Sequence, residues 1–394
     1  MPSPVIASAA RTAIATARKG SLANTTPEEM AALVLREAVT RSGLDPARID
    51  DVILAESQYG GGAVARHAAV ECGFDTVAGL ALNRHCAGSL SAIGHAAANV
   101  ASGMEHVMVA GGVHSSSLAP RLRRRVPGTA DDYVDWYPPA HPDSSDAPNK
   151  DMSICVGWNT AREMGITREE QDAWALRSHQ RAAAAIDAGR LASEIVPVKV
   201  TGPDGQVREF SVDEHPRRDS SLEKLASLKV LHPEIPGFSV TSGNASGVND
   251  AAAAAVVTDA DIARASGITP LATIRAWASA GVEPRLMGFG ALAAAEKVLD
   301  RAGLAPKDVA LWEVNEAFAS VPIAACRRFG LDEDTVNING SGCSLGHPIA
   351  ATGTRMVMTL AGDLRRRGGG IGVATMCAGG GMGGAVLIEV NEGE

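Results

Sequence analysis

A sequence repeat at an offset of 260 residues constrains the fold of this 394-residue chain more than any other feature. Residues 41–49 read RSGLDPARI and residues 301–309 read RAGLAPKDV, and each copy closes a helical segment and enters an apolar run. A repeat of this size predicts two similar halves related by a pseudo-twofold axis. Because apolar runs alternate with helical segments, each half is predicted to be an α/β unit on a mostly parallel sheet.

Capping residues and short apolar runs predict the individual elements of the first half. Thr26 or Thr25, followed by Pro and Glu, indicates the start of a helix that runs to about Ser42. Apolar runs predict strands at 3–9, 51–56, 77–82 and 107–110. The run 77–82 is predicted to be a buried strand. The run 107–110 suits either burial within the chain or pairing at a dimer interface.

The composition changes in the middle of the chain, where Ser, Pro, Arg and Asp are frequent between residues 113 and 151. A loop of this length is usually functional or disordered, and its aromatic residues favour an ordered one. A capping box at Thr167 predicts one helix that runs to Gly189. The predicted domain boundaries are 1–268 for the N-terminal half, with a loop subdomain inserted at about 113–240, and 269–394 for the C-terminal half.

Charge and cysteine usage exclude several functional classes. A net charge of −9 argues against a nucleic-acid partner, and no apolar run reaches the roughly 18 residues that a membrane span needs. The first 18 residues predict a strand rather than a signal peptide. Six cysteines without a CxxC pair favour a reducing, cytoplasmic location. Cys343 and His347 lack a second ligand pair, so no metal site is predicted.

Cys86 lies at a predicted strand-to-helix junction within the sequence NRHCAGS, residues 83–89. The N-terminus of a helix favours a thiolate, which would make this cysteine a nucleophile. A buried and inert cysteine is the alternative, and Cys86 considered alone favours it. The choice depends on whether the rest of the chain supplies a base and groups that stabilise an anion.

The repeat supplies a candidate base, because an offset of 260 from Cys86 leads to Gly346, next to His347. Equivalent strand ends meet near the pseudo-twofold axis, where open α/β sheets bind ligands. His347 lies in a glycine-rich loop between a predicted strand at 335–338 and a predicted helix at 349–364. We therefore expect His347 to act as a base for Cys86.

Two further strand ends carry candidate groups. Cys377 follows a predicted strand at 371–375 and precedes a glycine-rich run at 379–384. Unshielded N–H groups in such a run suit an oxyanion hole, and a tight hairpin turn explains the glycines equally well. Asn315 follows another apolar run, where it suits either a polar site or a helix cap.

The motifs together resemble those of the thiolases, the acyl-CoA acyltransferases of the thiolase superfamily, over essentially the whole chain. The matching stretches are NRHCAGS at 83–89, VAGG at 109–112, the loop 241–250, NEAF at 315–318, GHP at 346–348 and CAGGGMG at 377–383. The resemblance implies an α/β, thiolase-like fold. Its two pseudo-twofold-related βαβαβαββ halves would form a layered α-β-α-β-α core.

The resemblance also implies catalytic roles for matching positions. Cys86 would be the nucleophile that carries the acyl group, and His347 would take its proton and help bind the thioester oxygen. Asn315 would hold a water that completes this first oxyanion site. Cys377 would be the second acid/base. The N–H groups of Cys86 and Gly379 would form the second oxyanion site.

Three residues would contact coenzyme A by the same resemblance. Ser246 would contact the pantetheine arm, and Arg217 would contact the nucleotide end. Met152 matches a methionine of the family's covering loop, where the acyl chain or the pantetheine passes. Coenzyme A would be a co-substrate, with no tightly bound cofactor and no metal.

The implied function is the CoA-dependent cleavage of 3-ketoacyl-CoA, or the reverse Claisen condensation, through a Cys86 acyl-enzyme. The partners would be acyl-CoA and CoA, in a cytoplasmic homodimer or homotetramer. A decarboxylating condensing enzyme is an alternative, but that class would require histidines at the positions of Asn315 and Cys377. A catalytically weak, thiolase-like acyl-CoA-binding subunit of a complex is the other alternative.

The chain departs from the family pattern at positions where the acyl chain or the pantetheine should pass. Gly112 is followed by Val113 and His114 where the family often has Met-Glu, and Asp151 precedes Met152 where the family has a histidine. These departures leave the chemistry intact and concern the substrate. We expect the loop 114–152 to decide which acyl group is accepted.

Overall fold

A computed structural model describes residues 2–202 and 204–391, so the outermost ends of the two predicted halves, residues 1 and 392–394, lie outside the described residues. The strands are β1 (Pro4–Arg11), β2 (Ala15–Thr16), β3 (Asp51–Ala55), β4 (Ala78–Leu82), β5 (Val107–Ser115), β6 (Arg123–Arg125), β7 (Tyr133–Asp135), β8 (Val198–Thr201), β9 (Val207–Phe210), β10 (Asn249–Asp259), β11 (Ala272–Gly281), β12 (Leu311–Val314), β13 (Gly370–Ala378) and β14 (Met382–Val390). The α-helices are α1 (Pro27–Ser42), α2 (Val64–Glu71), α3 (Gly88–Ser102), α4 (Asn159–Met164), α5 (Arg168–Asp187), α6 (Leu222–Ala226), α7 (Ala260–Ala265), α8 (Gly290–Ala302), α9 (Ser320–Phe329) and α10 (Thr352–Arg366).

The main sheet has the same strand order on either side of its centre. One side runs β1-β10-β5-β3-β4 and the other runs β11-β14-β13-β12. The central strands β1 and β11 join the two sides through the residue pairs Val5–Thr273 and Ile6–Ala272. In the first side, β4 is the outermost strand. In the second side, an isolated parallel bridge between Trp312 and Val336 occupies the equivalent position. The repeat of the sequence is therefore a repeat of strand order.

The helices form three layers around the two sides of the sheet. Helices α1 and α2 cover the outer face of the first side, α8 and α9 cover the second, and α3 and α10 share one buried cluster between them. Small residues permit this central packing: a Cβ on Gly94 would lie 2.7 Å from the Trp277 ring, and one on Gly353 would lie 2.6 Å from the Leu90 nitrogen. The layers follow the predicted α-β-α-β-α order.

Three predicted elements and the predicted strand direction differ from the structure. The main sheet is mixed rather than mostly parallel: the pairs β3–β4, β3–β5 and β12–β13 are parallel, whereas the central pairs among β1, β5, β10, β11, β13 and β14 are antiparallel. Strand β4 is half exposed rather than buried, because it is an edge strand that pairs only with β3. Residues 335–338 form no strand beyond the bridge at Val336, since a 3₁₀ turn at Glu333–Thr335 precedes them. Strand β5 pairs with β10 and β3 on its two sides, so pairing of 107–110 across a dimer interface is wrong.

The segment between β5 and β10 contains the β6–β7 hairpin, a π-helical turn at Ser153–Trp158, α4, α5, the β8–β9 hairpin and α6. A buried ion cluster ties this segment to β1. Arg11 Nε lies 2.9 Å from a Glu194 carboxylate oxygen, and its two terminal nitrogens lie 2.8 and 2.9 Å from the Asp213 carboxylate. All three side chains are buried.

We expect Arg11→Leu to lower the free energy of unfolding by about 3–5 kcal/mol, because two carboxylates then remain buried without their cation. Urea unfolding of the full chain measures the change. The matched control is Arg264→Leu, which removes an exposed pair with Asp261 and costs less than about 1 kcal/mol. Equal effects of the two substitutions would contradict the structural role of the buried cluster.

Candidate active site

Cys86 lies in a single 3₁₀ turn, His85–Ala87, between the end of β4 and the first residue of α3. The Asn83 side-chain oxygen accepts a hydrogen bond of 2.8 Å from the His85 N–H and shapes this turn. His85 has a φ of +45°, a left-handed conformation that is uncommon for a residue with a side chain. The residue immediately before the cysteine therefore has an unfavourable backbone conformation.

Two backbone N–H groups, those of Gly379 and of Cys86 itself, act on the Cys86 sulfur and lower its pKa. They favour the thiolate, but burial has the larger effect and raises the pKa of Cys86 to about 11. Burial therefore outweighs the groups that favour the thiolate at the start of α3. Cys86 is a thiol at neutral pH and needs a base.

The hydrogen bonds of His347 define which ring nitrogen can serve as that base. Its Nδ1 lies 2.8 Å from the Thr352 hydroxyl, and that hydroxyl donates its only proton to the Pro348 carbonyl. Nδ1 must then carry the ring proton, which leaves the lone pair on Nε2. Burial lowers the pKa of His347 to about 3, so the ring is neutral at physiological pH.

The side chain of Asn315 lies next to His347. Its amide nitrogen is 3.4 Å from His347 Nε2, and its amide oxygen is buried without a hydrogen-bond partner among the described residues. Neighbouring Glu316 holds this position, because its buried carboxylate accepts four hydrogen bonds. The donors are Trp174 Nε1, Ser178 Oγ, Asn337 Nδ2 and the Cys343 N–H, at 2.6–3.1 Å.

Cys377 lies within β13, which continues to Ala378 instead of ending at the predicted residue 375. Burial and the nearby Cys86 sulfur raise the pKa of Cys377 well above its ordinary value. The glycines that follow close the turn between β13 and β14. The hairpin-turn interpretation of this run is therefore confirmed, and the oxyanion-hole interpretation stays a prediction.

Two cavities meet at Cys86, and both are also bounded by Met152, Ile349 and Gly379. Cavity A has a volume of about 240 Å³. Its remaining lining residues are Ser116, Val156, Ser246, Gly247, Val248, Ala317, Phe318, His347, Cys377 and Ala378. Cavity B has a volume of about 370 Å³. Its remaining lining residues are Ser57, Gln58, His85, Tyr137, Ala140, His141, Asn149, Lys150 and Gly380. A group bonded to the Cys86 sulfur can thus face one cavity while its reaction partner enters through the other.

The predicted binding residues differ in their placement. Ser246 lines cavity A, and Met152 separates the two cavities. Arg217 lines neither cavity and has an exposed side chain. It follows His215, whose ring packs against Gly247 in the wall of cavity A. Arg217 is therefore near the outer side of that wall.

No sequence motif singles out several of the residues that line the cavities. His141 and Lys150 belong to a loop without periodicity, and only the folded chain brings them to Cys86. His114 departs from the family pattern, which does not predict its contacts. It is buried between Ser57 and Ser116, with ring nitrogens 3.3 and 2.9 Å from their hydroxyls, and burial lowers its pKa to about 4.

Two kinds of site are absent from residues 2–202 and 204–391. These residues contain no group of three or more His, Cys, Asp or Glu side chains placed to hold a metal ion. None of the helices in the same ranges is long and apolar enough to cross a membrane.

Comparison with known proteins assigns the chain to a family. Residues 4–261 match the thiolase N-terminal domain, and residues 268–390 match the thiolase C-terminal domain. The chain is 40% identical to the acetyl-CoA acetyltransferase of Escherichia coli K12, over 99% of each chain. It is 37% identical to the 3-ketoacyl-CoA thiolase of Bacillus subtilis 168, over 99% of this chain and 100% of that protein.

A solved structure agrees with these relatives. The acetyl-CoA acetyltransferase of Bacillus anthracis superimposes with a TM-score of 0.89 at 39% sequence identity, over 99% of each chain. The fold class and the family predicted from the sequence motifs are confirmed. The chain belongs to the thiolase family.

Proposed function

We propose that this thiolase is an acyl-CoA acyltransferase that cleaves 3-ketoacyl-CoA with CoA, or runs the reverse condensation, through a thioester on Cys86. The observation that carries the proposal is the meeting of two cavities at Cys86, beside a neutral His347 and a buried Cys377. Acyl transfer in two half-reactions needs this arrangement, because the acyl group must stay in place while one thioester leaves and CoA enters. The presence of Cys86, His347 and Cys377 at these cavities also argues against the alternative of a catalytically weak acyl-CoA-binding subunit.

The first half-reaction transfers the acyl group to Cys86. His347 Nε2 takes the thiol proton, and the sulfur attacks the 3-keto carbon of the substrate. The bond between C2 and C3 then breaks, which leaves an acyl-thioester on Cys86 and the enolate of acetyl-CoA. The Cys377 thiol gives its proton to C2, and acetyl-CoA departs.

The second half-reaction returns the enzyme to its starting state. The Cys377 thiolate takes the proton of the CoA thiol, and the CoA sulfur attacks the acyl-thioester. Cys86 leaves as a thiolate and regains its proton from His347. The net reaction converts 3-ketoacyl-CoA and CoA into acetyl-CoA and a shortened acyl-CoA.

Negative charge develops on oxygen twice in this cycle. The N–H groups of Cys86 and Gly379, which favour negative charge on the sulfur, bind the oxygen of the tetrahedral species at C3. Protonated His347 Nε2 and a water held by Asn315 bind the oxygen of the acetyl-CoA enolate. The unpartnered amide oxygen of Asn315 supports this role, because a buried polar atom of this kind is usually satisfied by an ordered water.

CoA is a co-substrate in this proposal, and cavity A receives its pantetheine arm. The mostly apolar walls of cavity A, with Ser246 and Met152 among them, suit that narrow and weakly polar chain. Exposed Arg217, beyond the wall at Gly247, is the proposed contact for the nucleotide end. We also propose a cytoplasmic location, where the free thiols of Cys86 and Cys377 stay reduced.

Cleavage of acetoacetyl-CoA by CoA tests the proposal directly. We expect Cys86→Ala to abolish the acyl-enzyme in intact mass spectrometry. Cys377→Ala should still acylate but lose turnover by roughly a hundredfold or more, because its proton transfers are missing. Cys72→Ala is the matched control, since this free cysteine lines neither cavity. A persistent adduct in Cys86→Ala would place the nucleophile elsewhere.

The raised pKa of Cys86 predicts how its alkylation depends on pH. Below a pKa of about 11 the thiolate fraction grows tenfold per pH unit, so the iodoacetamide rate of the free enzyme should keep rising from pH 7 to pH 10. Peptide mass spectrometry separates Cys86 from the other cysteines. A rate that levels off below pH 8 would instead indicate a resting thiolate–imidazolium pair with His347.

We further propose that the enzyme is a homodimer, or a tetramer of such dimers, whose subunits pair through β4. This edge strand pairs only with β3 and leaves Leu80 49% exposed. An edge strand with unpaired backbone groups and an exposed apolar side chain is suited to pairing with a second copy.

A charge on the exposed face of β4 should weaken this pairing. We expect Leu80→Lys to shift the mass measured by light scattering from the oligomer toward the monomer. Val207→Lys is the matched control, because Val207 is an exposed apolar residue of the separate β8–β9 hairpin. A monomeric wild-type protein, or a Leu80→Lys variant with unchanged mass, would contradict the proposed interface.

A further inference from the structure

The segment from His232 to Phe238 contacts both ends of the π-helical turn Ser153–Trp158. Before the first residue of the turn, a carboxylate oxygen of Asp151 lies 2.8 Å from His232 Nε2. At its last residue, the Trp158 ring packs on the Phe238 ring with a centroid distance of 5.4 Å. His232 and Phe238 also pack edge to face at 4.9 Å. The segment therefore holds the turn at two points.

The π-helical turn forms part of the wall of the active site. Met152 immediately precedes it and lines both cavities, and Val156 within it lines cavity A. π-Helical turns are rare, and they occur frequently at functional sites. The position of Met152 therefore depends on the contacts that hold this turn.

Asp151 connects His232 to the turn through its two carboxylate oxygens. One oxygen accepts hydrogen bonds from the Ser153 N–H and hydroxyl at 3.0 and 2.6 Å, and the other faces His232. Met152 lies between Asp151 and Ser153 in the chain. A single carboxylate thus fixes the backbone on both sides of Met152.

His232 has a carboxylate on each side of its ring. Its Nδ1 lies 2.7 Å from a Glu234 oxygen, and its Nε2 lies 2.8 Å from an Asp151 oxygen. An ionised carboxylate only accepts hydrogen bonds, so both ring nitrogens carry protons and the ring is an imidazolium. The hydrogen bond to Glu234, followed by the bond to Asp151, raises the pKa of His232 above its ordinary value of 6.5, although burial opposes the shift.

We infer that His232 is a positioning residue for substrate binding, whose imidazolium holds Met152 in the wall between the two cavities through Asp151. The inference rests on the proposed function, because that wall separates the acyl group on Cys86 from the incoming CoA. His232 itself lines neither cavity, so it acts on Met152 and not on the substrate.

The protonation of His232 determines how this link depends on pH. Because the pKa of His232 is raised, the charge-assisted bond to Asp151 is fully present below the ordinary value of 6.5 and is lost as the pH rises through the raised value. Burial disfavours the Asp151 carboxylate, but hydrogen bonds from Ser153 and His232 lower its pKa below 3.8. Asp151 therefore stays ionised while His232 titrates.

NMR of the free enzyme, labelled with ¹³C in the methionine methyl groups and histidine rings, tests the placement of Met152 without the reaction. We expect the Met152 methyl signal, assigned with Met152→Leu, to shift with pH at the midpoint at which His232 titrates. The shift should disappear in His232→Gln. A Met152 signal that does not follow the titration of His232 would overturn the inference.

Steady-state kinetics with acetoacetyl-CoA and CoA tests the consequence for binding. At pH 6.5 we expect His232→Gln and Asp151→Asn to raise both KM values about threefold to fivefold, as loss of a partly exposed ion pair predicts, with kcat changed less than about twofold. Loss of folded enzyme would instead lower kcat at constant KM. The difference in KM between wild type and His232→Gln should vanish as the pH rises above the His232 midpoint.

The matched control is His67→Gln, because His67 is exposed, pairs with Glu71 on α2 and lines neither cavity. Equal changes of KM in this control, or unchanged KM values in His232→Gln and Asp151→Asn, would overturn the inference and leave the thiolase reaction standing. A wild-type protein that does not cleave acetoacetyl-CoA would overturn the proposed function, and the NMR titration would still decide whether His232 places Met152.

Discussion

The contact between the first turns of α3 and α10 sets the geometry of the whole site. Gly353 of α10 approaches the backbone of Leu90 so closely that a Cβ would clash, and the Thr354 N–H donates to Ser89 Oγ at 3.1 Å. Cys86 immediately precedes α3, and His347 is bonded to Thr352 in the first turn of α10. The first half therefore positions the nucleophile at the start of α3, and the second half positions the base at the start of α10. Close packing fixes these two helices against each other.

A second constraint comes from the buried carboxylate of Glu316. Burying a charge is unfavourable unless hydrogen bonds compensate for the lost hydration, and here four donors do so. The donors belong to α5 of the inserted segment, to Asn337 and to the backbone of Cys343. Glu316 thus links Asn315 to the loop that leads to His347, so one hydrogen-bonded network holds both the amide and the imidazole.

Local signals predicted local structure well. The Thr26 and Thr167 capping boxes mark the starts of α1 and α5, and the repeat brings Cys86 and His347 to neighbouring helix starts as expected. The errors concern long-range properties. An apolar run does not reveal that β4 lies at a sheet edge, and a helix N-terminus does not reveal that burial outweighs its field on Cys86.

The two cavities are formed by different kinds of structural element. Sequence patterns therefore predict the reaction better than the substrate. Cavity A is formed largely by residues at the ends of core strands and in their adjoining loops, such as 317–318 and 377–379, which packing fixes. Part of the polar wall of cavity B comes from residues 137–150, which lack regular secondary structure and are held by the hydrogen bonds of Asn149. Such a loop can change its side chains without disturbing the core. The fold therefore fixes the position of the reacting groups, whereas the loop that lines cavity B follows no periodic pattern.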